Sequence, residues 1–402
     1  MGTASALLAR SPRHGFLEFT FFILLGLLVL YIATIYKRAP QKFNALFITS
    51  IIFAVTISFA SFLGNTLSVF NETLTPTFKS LFQGFVNPRF FNQWQGMVLP
   101  IVIGALLIYK DVKRKKFLLA LLASYLWAGI FFSGGRGVAL SVMIGITLTG
   151  LLFPRIRYEW WSWTLLTLLG GGLIYASVLT GTFVFTGQHF EDGLGLSRIV
   201  ENTTTSDRLS LWQYAWHQFI HNPILGIGPM HSALISDATT IAAHPHNIAL
   251  QLASEWGAPV LILIASVLGT AFLKWIAFSK RQVNSQLHPT FLLAALTSAF
   301  TTGNLHALVS GVWVMPLSQL SLALLTGWML GIWANTKPSN HKIHANTTTI
   351  FTAIMLITIL IFLYSIYPEV HQLDNWLKES YERIGDPIFH PRFWLQGIII
   401  PD

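Results

Sequence analysis

His244-Pro245-His246-Asn247 leads directly into Ile248-Ala249-Leu250-Gln251-Leu252-Ala253-Ser254-Glu255-Trp256-Gly257, and from there an apolar run continues to Ile276. Residues 248–276 exceed the roughly 20 apolar positions that cross a bilayer. The stretch in front of them, 181–247, is mostly polar and rich in turn residues. Working outward, nine more runs fit a span: 16–36, 43–63, 95–109, 117–133, 137–153, 162–180, 289–306, 313–334 and 349–367. The run at 95–109 is short, and Leu67 to Val86 reads as a re-entrant or interfacial helix. The pattern predicts an all-α integral membrane protein with about ten transmembrane helices and one long extramembrane loop containing an amphipathic helix.

Composition points the same way. Charged residues are 10% of the chain and hydrophobic residues 53%, whereas soluble domains average about 25% charged. With no cysteine, a disulfide framework and a thiolate metal site are both excluded, so packing and hydrogen bonds must hold the loop.

The basic residues orient the spans. With the Arg208 loop placed outside, the opposite connections hold Lys37, Arg38, Lys42, Lys110, Lys113, Arg114, Lys115, Lys116, Arg155, Arg157, Lys274, Lys280, Arg281, Lys337 and Lys342. Those fifteen face only Asp111 and Glu159, while the outer side is left with ten basic residues against fourteen acids. Cytoplasmic loops are the ones enriched in Lys and Arg, so the His246 loop is read as lying outside. The net charge of +9 is thus a topology signal, and a nucleic-acid surface is not expected because the basic clusters are short and tethered between spans. Arg10 and Arg13 precede an apolar run with no small-residue cleavage pattern after it, which reads as an uncleaved first span. The expected organisation is N-terminal spans over 1–180, an outer loop over 181–247, C-terminal spans over 248–367 and an outer tail over 368–402.

Inside the loop, Thr203-Thr204-Thr205-Ser206 offers N-caps for a helix. Leu209, Trp212, Trp216, Phe219 and Ile220 then recur at helical spacing until Asn222-Pro223 stops them. Such an amphipathic helix suits the interfacial layer and holds Arg208 at headgroup depth.

These residues together resemble the O-antigen ligase and polymerase superfamily of bacterial membrane glycosyltransferases. The resemblance is carried by Arg208 with Trp212 and Ala215, by Asn222-Pro223-Ile224-Leu225-Gly226-Ile227-Gly228-Pro229, and by His246-Asn247 with Leu250-Gln251 and Glu255-Trp256-Gly257. It covers about 207–257 specifically. The resemblance implies a helical bundle that transfers a glycan from undecaprenyl pyrophosphate to an acceptor on the periplasmic side of the inner membrane, without metal or other cofactor, which makes the outer loop and tail periplasmic. It also implies an essential His, matching His246, and two essential Arg, matching Arg208 and Arg136 in Ser133-Gly134-Gly135-Arg136-Gly137.

The chemistry of the side chains suits those roles. A neutral imidazole takes a hydroxyl proton at working pH, and guanidinium groups offer fork-shaped donors to phosphate oxygens. Read alone, His246 serves equally as a helix cap, and Arg208 or Arg136 as an interfacial anchor or a partner for helix-end carbonyls. Further candidates for substrate binding are Arg89, His244, Asn247 and His306. No P-loop, dinucleotide fingerprint, His-Glu-x-x-His or Gly-x-Ser-x-Gly occurs. The His244-x-His246 pair has no carboxylate third ligand nearby, so no metal site is expected.

The favoured reading is an O-antigen ligase that uses lipid A-core as acceptor. A Wzy-type polymerase and a protein O-oligosaccharyltransferase are alternatives in the same class. A lipid-glycan transporter is the alternative from another class, and it needs polar groups along a path deep within the spans.

Overall fold

Alternation of apolar runs with Gly, Pro and charged breaks produces fourteen α-helices and no strand among the described residues of the computed structural model. Those residues are 1–85, 88–190, 206–233, 243–285, 290–336 and 345–372, with 374, 375, 378, 381 and 382. In chain order the helices are α1 Gly2–Leu8, α2 Pro12–Arg38, α3 Pro40–Phe70, α4 Phe78–Leu81, α5 Pro88–Ile108, α6 Lys113–Ser133 and α7 Arg136–Leu152. They continue as α8 Arg157–Thr186, α9 Ser206–His221, α10 Ile248–Trp256, α11 Ala258–Ser285, α12 Thr290–Ala307, α13 Pro316–Asn335 and α14 Ala345–His371. A 3₁₀ turn, His231–Ala233, lies between α9 and α10.

All ten apolar runs form helix, and eight helices are long and apolar enough to cross a membrane: α2, α3, α5, α6, α8, α11, α13 and α14. The chain is a multi-pass membrane protein. Two runs stand apart from the eight. The helix α7 is apolar but has only 17 residues. Along α12, Thr297, Ser298, Thr301, Thr302, Asn304 and His306 lower the hydropathy, and all but Asn304 are buried inside the protein.

The expected single helix over 248–276 is instead two. Gly257, at φ 81° and ψ 168°, ends α10 before α11 begins. That backbone region is essentially restricted to glycine. The short run at 95–109 extends backwards to become the 21-residue α5. The interfacial segment expected between Leu67 and Val86 resolves as the end of α3, a turn, and the single-turn α4, whose cap Thr77 Oγ1 accepts from the Ser80 N–H at 3.1 Å.

The chain divides into two compact units. The first is Met1–Lys37, Thr204–Leu273 and Ala307–Asp402; the second is Arg38–Thr203 and Lys274–His306. In the first, α2 is the common neighbour. Glycines at 327 and 331 of α13 admit Ile32 and Tyr36, since a Cβ at either would stand 2.8 Å or 2.5 Å from those side chains. Close approach through small residues is how membrane helices gain dispersion contact. Phe19 and Phe22 of α2 lie 6.1 and 5.9 Å from the Trp256 ring at the end of α10, and Phe21 lies 6.1 Å from Phe362 of α14.

In the second unit α5 is central: 89% of its span window is buried, against 22% for α8. Gly104 of α5 lies against Ala295 of α12, Gly145 of α7 against Thr302, and Gly171 of α8 against Trp127 of α6. Tyr125 is packed by Phe59, Phe62 and Phe82, and its hydroxyl is 2.6 Å from Ser58 Oγ. Beyond the end of α5, Lys110 donates to Glu159 at 2.9 Å, which raises the Lys110 pKa; both side chains are exposed, so the pair contributes at most about 1 kcal/mol.

Candidate functional site

The polar loop of the first unit folds around two backbone segments that pair directly. Ile227 N–H donates to Ser254 O at 2.8 Å, Gly228 N–H to Glu255 O at 3.1 Å, and Ala258 N–H to Pro223 O at 2.8 Å. The approach is possible because Gly226 (φ 69°) and Gly257 carry no Cβ. One at Gly226 would lie 2.3 Å from the Glu255 carbonyl carbon, and one at Gly257 2.2 Å from Ile224 O. The Asn222–Pro229 stretch is therefore a template for the α10 to α11 break, and its glycines are dictated by sterics. Gly257→Ala meets both the forbidden backbone region and the carbonyl contact, so it should cost roughly 3 kcal/mol or more. Thermal unfolding of the detergent-solubilised protein measures this, and an unchanged midpoint would contradict the packing described.

Glu255, fully buried, is held in the same template. Its Oε1 accepts from Ser232 N–H at 3.0 Å, and its Oε2 from the Gln251 amide at 3.4 Å. A buried carboxylate is tolerable only with such donors.

On this platform the His-Pro-His turn is set with unusual backbone geometry. His246 has φ 54°, a left-handed conformation uncommon outside glycine, although His is one of the residues enriched there. Three contacts fix it. Its N–H donates to His244 Nδ1 at 3.1 Å, so that nitrogen carries a lone pair. The next residue, Asn247, is the N-cap of α10, its Oδ1 accepting from Ala249 N–H at 3.0 Å and Leu250 N–H at 3.1 Å. Trp212 Nε1–H of α9 donates to Pro245 O at 3.0 Å. His244 is buried and His246 half-buried, with ring centroids 4.2 Å apart. Backbone strain held by several contacts is a frequent feature of functional sites.

Arg208 lies in the first turn of α9, half-buried, one helical turn before Trp212. The helix begins at Ser206 and ends at His221, before Asn222-Pro223; the residues Thr203 to Thr205 lie outside the described residues. Leu209, Trp216 and Ile220 are more than half exposed while Ala215 is buried, so α9 is amphipathic. Arg208, His244, His246 and Asn247 thus share one substructure, linked through Trp212 and Pro245.

The other candidates belong to the second unit. Arg136 is the first residue of α7 and is exposed, after Gly134 (φ 57°) closes α6. Gly135 is the N-cap, contributing no side chain. The Asn92 amide and Val138 come close enough that a Cβ there would clash. Cationic charge beside the first turn of a helix, where N–H groups lack intrahelical partners, favours an anion. Arg89 is exposed in the first turn of α5, and His306 is buried in the last turn of α12.

Sequence reasoning does not single out His231, buried between Pro229 O and Ser11 N–H, or Asn92 and Gln95, buried on α5. No spacing rule signals the first, whose partner is 220 positions away. The other two follow from α5 being central, where every face is inside. Among the described residues, no three His, Asp or Glu side chains gather as a metal set would require.

Residues 119–265 match the family described as O-antigen ligase. No curated protein and no solved structure matches the chain.

Proposed function

We propose that this chain, whose residues 119–265 form an O-antigen ligase family domain, transfers a glycan from undecaprenyl pyrophosphate to lipid A-core at the periplasmic face of the bacterial inner membrane. One observation carries the reading. Arg136, Arg208 and His246 all fall within the matched residues, and His246 sits in a strained turn tied to the helix that bears Arg208.

The reaction asks for two things. The acceptor hydroxyl must lose its proton as its oxygen bonds to the anomeric carbon, and the bond from that carbon to the pyrophosphate oxygen must break with its electron pair leaving on phosphate. His246 takes the proton, a role that general-base catalysis makes worth about 10²–10⁴-fold. Asn247 and His244 hold the turn that presents it. The guanidinium groups of Arg208 and Arg136 meet the charge that develops on the leaving pyrophosphate. No step in this scheme uses a metal ion. Arg89 and His306 serve as further contacts for phosphate or sugar. The periplasmic loop over 181–247 and the tail over 368–402 lie, on this reading, on the same side of the membrane.

A ligase and a polymerase share donor and proton transfer and differ in acceptor, so a deletion strain separates them. Loss of a ligase should leave long polymer on undecaprenyl pyrophosphate while lipopolysaccharide stops at the core. Single repeats on the carrier, with a core capped by one repeat, would instead make the chain a polymerase. A protein left unglycosylated beside normal lipopolysaccharide would point to protein as the acceptor.

A further inference from the structure

Gly2–Ser11, a segment outside the matched domain, is built into the platform that carries the His-Pro-His turn. From α1, Ser5 Oγ donates to Leu225 O at 2.6 Å and reaches Glu255 O at 3.3 Å, placing it on both paired segments of the loop at once. Gly228 has no Cβ to keep Ala9 away; one built there would lie 2.4 Å from the Ala9 methyl and 2.8 Å from His231 Nδ1. Ser5 and Ala6 are buried. The segment ends in a bond that is informative about chemistry as well as packing. Ser11 N–H can only donate, and it meets His231 Nε2 at 2.9 Å; Pro229 O can only accept, and it meets His231 Nδ1 at 2.8 Å. His231 is therefore neutral with its proton on Nδ1.

Its neighbour is fixed by the same logic. Arg13 Nη2 donates to His14 Nε2 at 2.9 Å, so the His14 proton is on Nδ1 and is donated to Ser11 Oγ at 2.8 Å. Arg13 Nη1 in turn donates to Ser365 O of α14 at 3.1 Å. On the other side of His231, Ser232 N–H is the donor to the buried Glu255 carboxylate of α10. Hydrogen bonds thus link α14 through Arg13, His14 and Ser11 to His231, and the peptide bond from His231 to Ser232 carries the path on to Glu255, on the short helix that His246 precedes.

We propose that His231 is a positioning residue for the transfer reaction, latching the Gly2–Ser11 segment to the 229–233 turn so that α10 and the His246 turn are held in register. This rests on the function proposed above. The side chain acts through hydrogen bonds at both ring nitrogens, so an isosteric donor and acceptor should replace it and an apolar group should not. Gln supplies an amide N–H and carbonyl O with about the separation of the two ring nitrogens.

The test uses the full chain in nanodiscs with His231→Leu and His231→Gln. Hydrogen exchange is read at the peptide containing Ser11, alongside steady-state transfer. In His231→Leu the Ser11 amide should exchange faster, and kcat should fall at least about tenfold with donor KM within about twofold, as small misplacements of a catalytic group do. His231→Gln should restore both. Equal impairment of the two variants, or a Leu variant with unchanged Ser11 exchange, overturns the latch. Should His231→Leu fail to fold, Ser11→Pro removes the same N–H from the other side and Ser11→Ala retains it; like exchange in the 229–233 turn of those two would also overturn it. The exchange readout needs no glycan, so a wrong donor or acceptor would leave the latch standing and refute only the function.

Discussion

His246→Ala should abolish glycan transfer while the protein still accumulates in the membrane and unfolds near the wild-type temperature. The side chain is half-buried and follows a turn held by backbone contacts and by the Asn247 cap, so removing the imidazole takes little from the core. The turn's φ of 54° even becomes harder for Ala to adopt than for His, which predicts a stability loss of at most about 1 kcal/mol. Loss of a general base, by contrast, lowers the rate by about 10²–10⁴-fold. His246→Gly separates the two effects, because Gly accepts the left-handed backbone without strain. Both variants should be equally inactive on purified donor and acceptor. Activity in either, above about a tenth of wild type, would remove His246 from the base role.

A feature of this fold is legible in the amino-acid sequence when its cause is local. Helix positions are of that kind, because span length and hydrophobic runs are properties of contiguous residues; each of the ten runs forms helix. The start of α9 at Ser206 and its stop before Asn222-Pro223 are legible for the same reason. The break at Gly257 is not. A lone glycine in an apolar run reads as tolerated, and what makes it a break is Ile224 O and Pro223 O arriving from 33 or more positions away. Likewise α12 reads as a span from its first half, while its Thr, Ser and His positions show their meaning only once most of them prove buried against neighbours.

The candidate site divides in the same manner. The string from Asn222 to Pro229, with His246-Asn247 and Glu255 to Gly257, is recognisable as a pattern, yet the pattern does not say why those residues occur. The pairing of 227–228 with 254–255 supplies the reason: the glycines permit contact, Glu255 anchors Ser232, and Asn247 starts the helix. His231 carries no signal, since its Ser11 partner lies in a different sequence neighbourhood altogether.

Arg136→Lys and Arg208→Lys should each depress transfer by about tenfold or more, although both keep the charge. An ammonium is a point charge, whereas a guanidinium presents a planar fork matched to two phosphate oxygens, so the exchange is not conservative where the partner is a pyrophosphate. The surroundings of the two residues make the expectation specific. Arg136 is exposed at the first position of α7, after a glycine N-cap that contributes no side chain, and Lys there is an equally good helix residue. Arg208 is in the first turn of α9, ahead of the Trp212 bond to Pro245. Neither change should lower the unfolding temperature appreciably, because neither removes apolar core. If both cations act on one leaving group, the double variant should be less impaired than the product of the single losses, since coupled residues are non-additive. Full activity in either Lys variant would mean that charge alone suffices there, and multiplying losses in the double variant would assign the two arginines to separate steps.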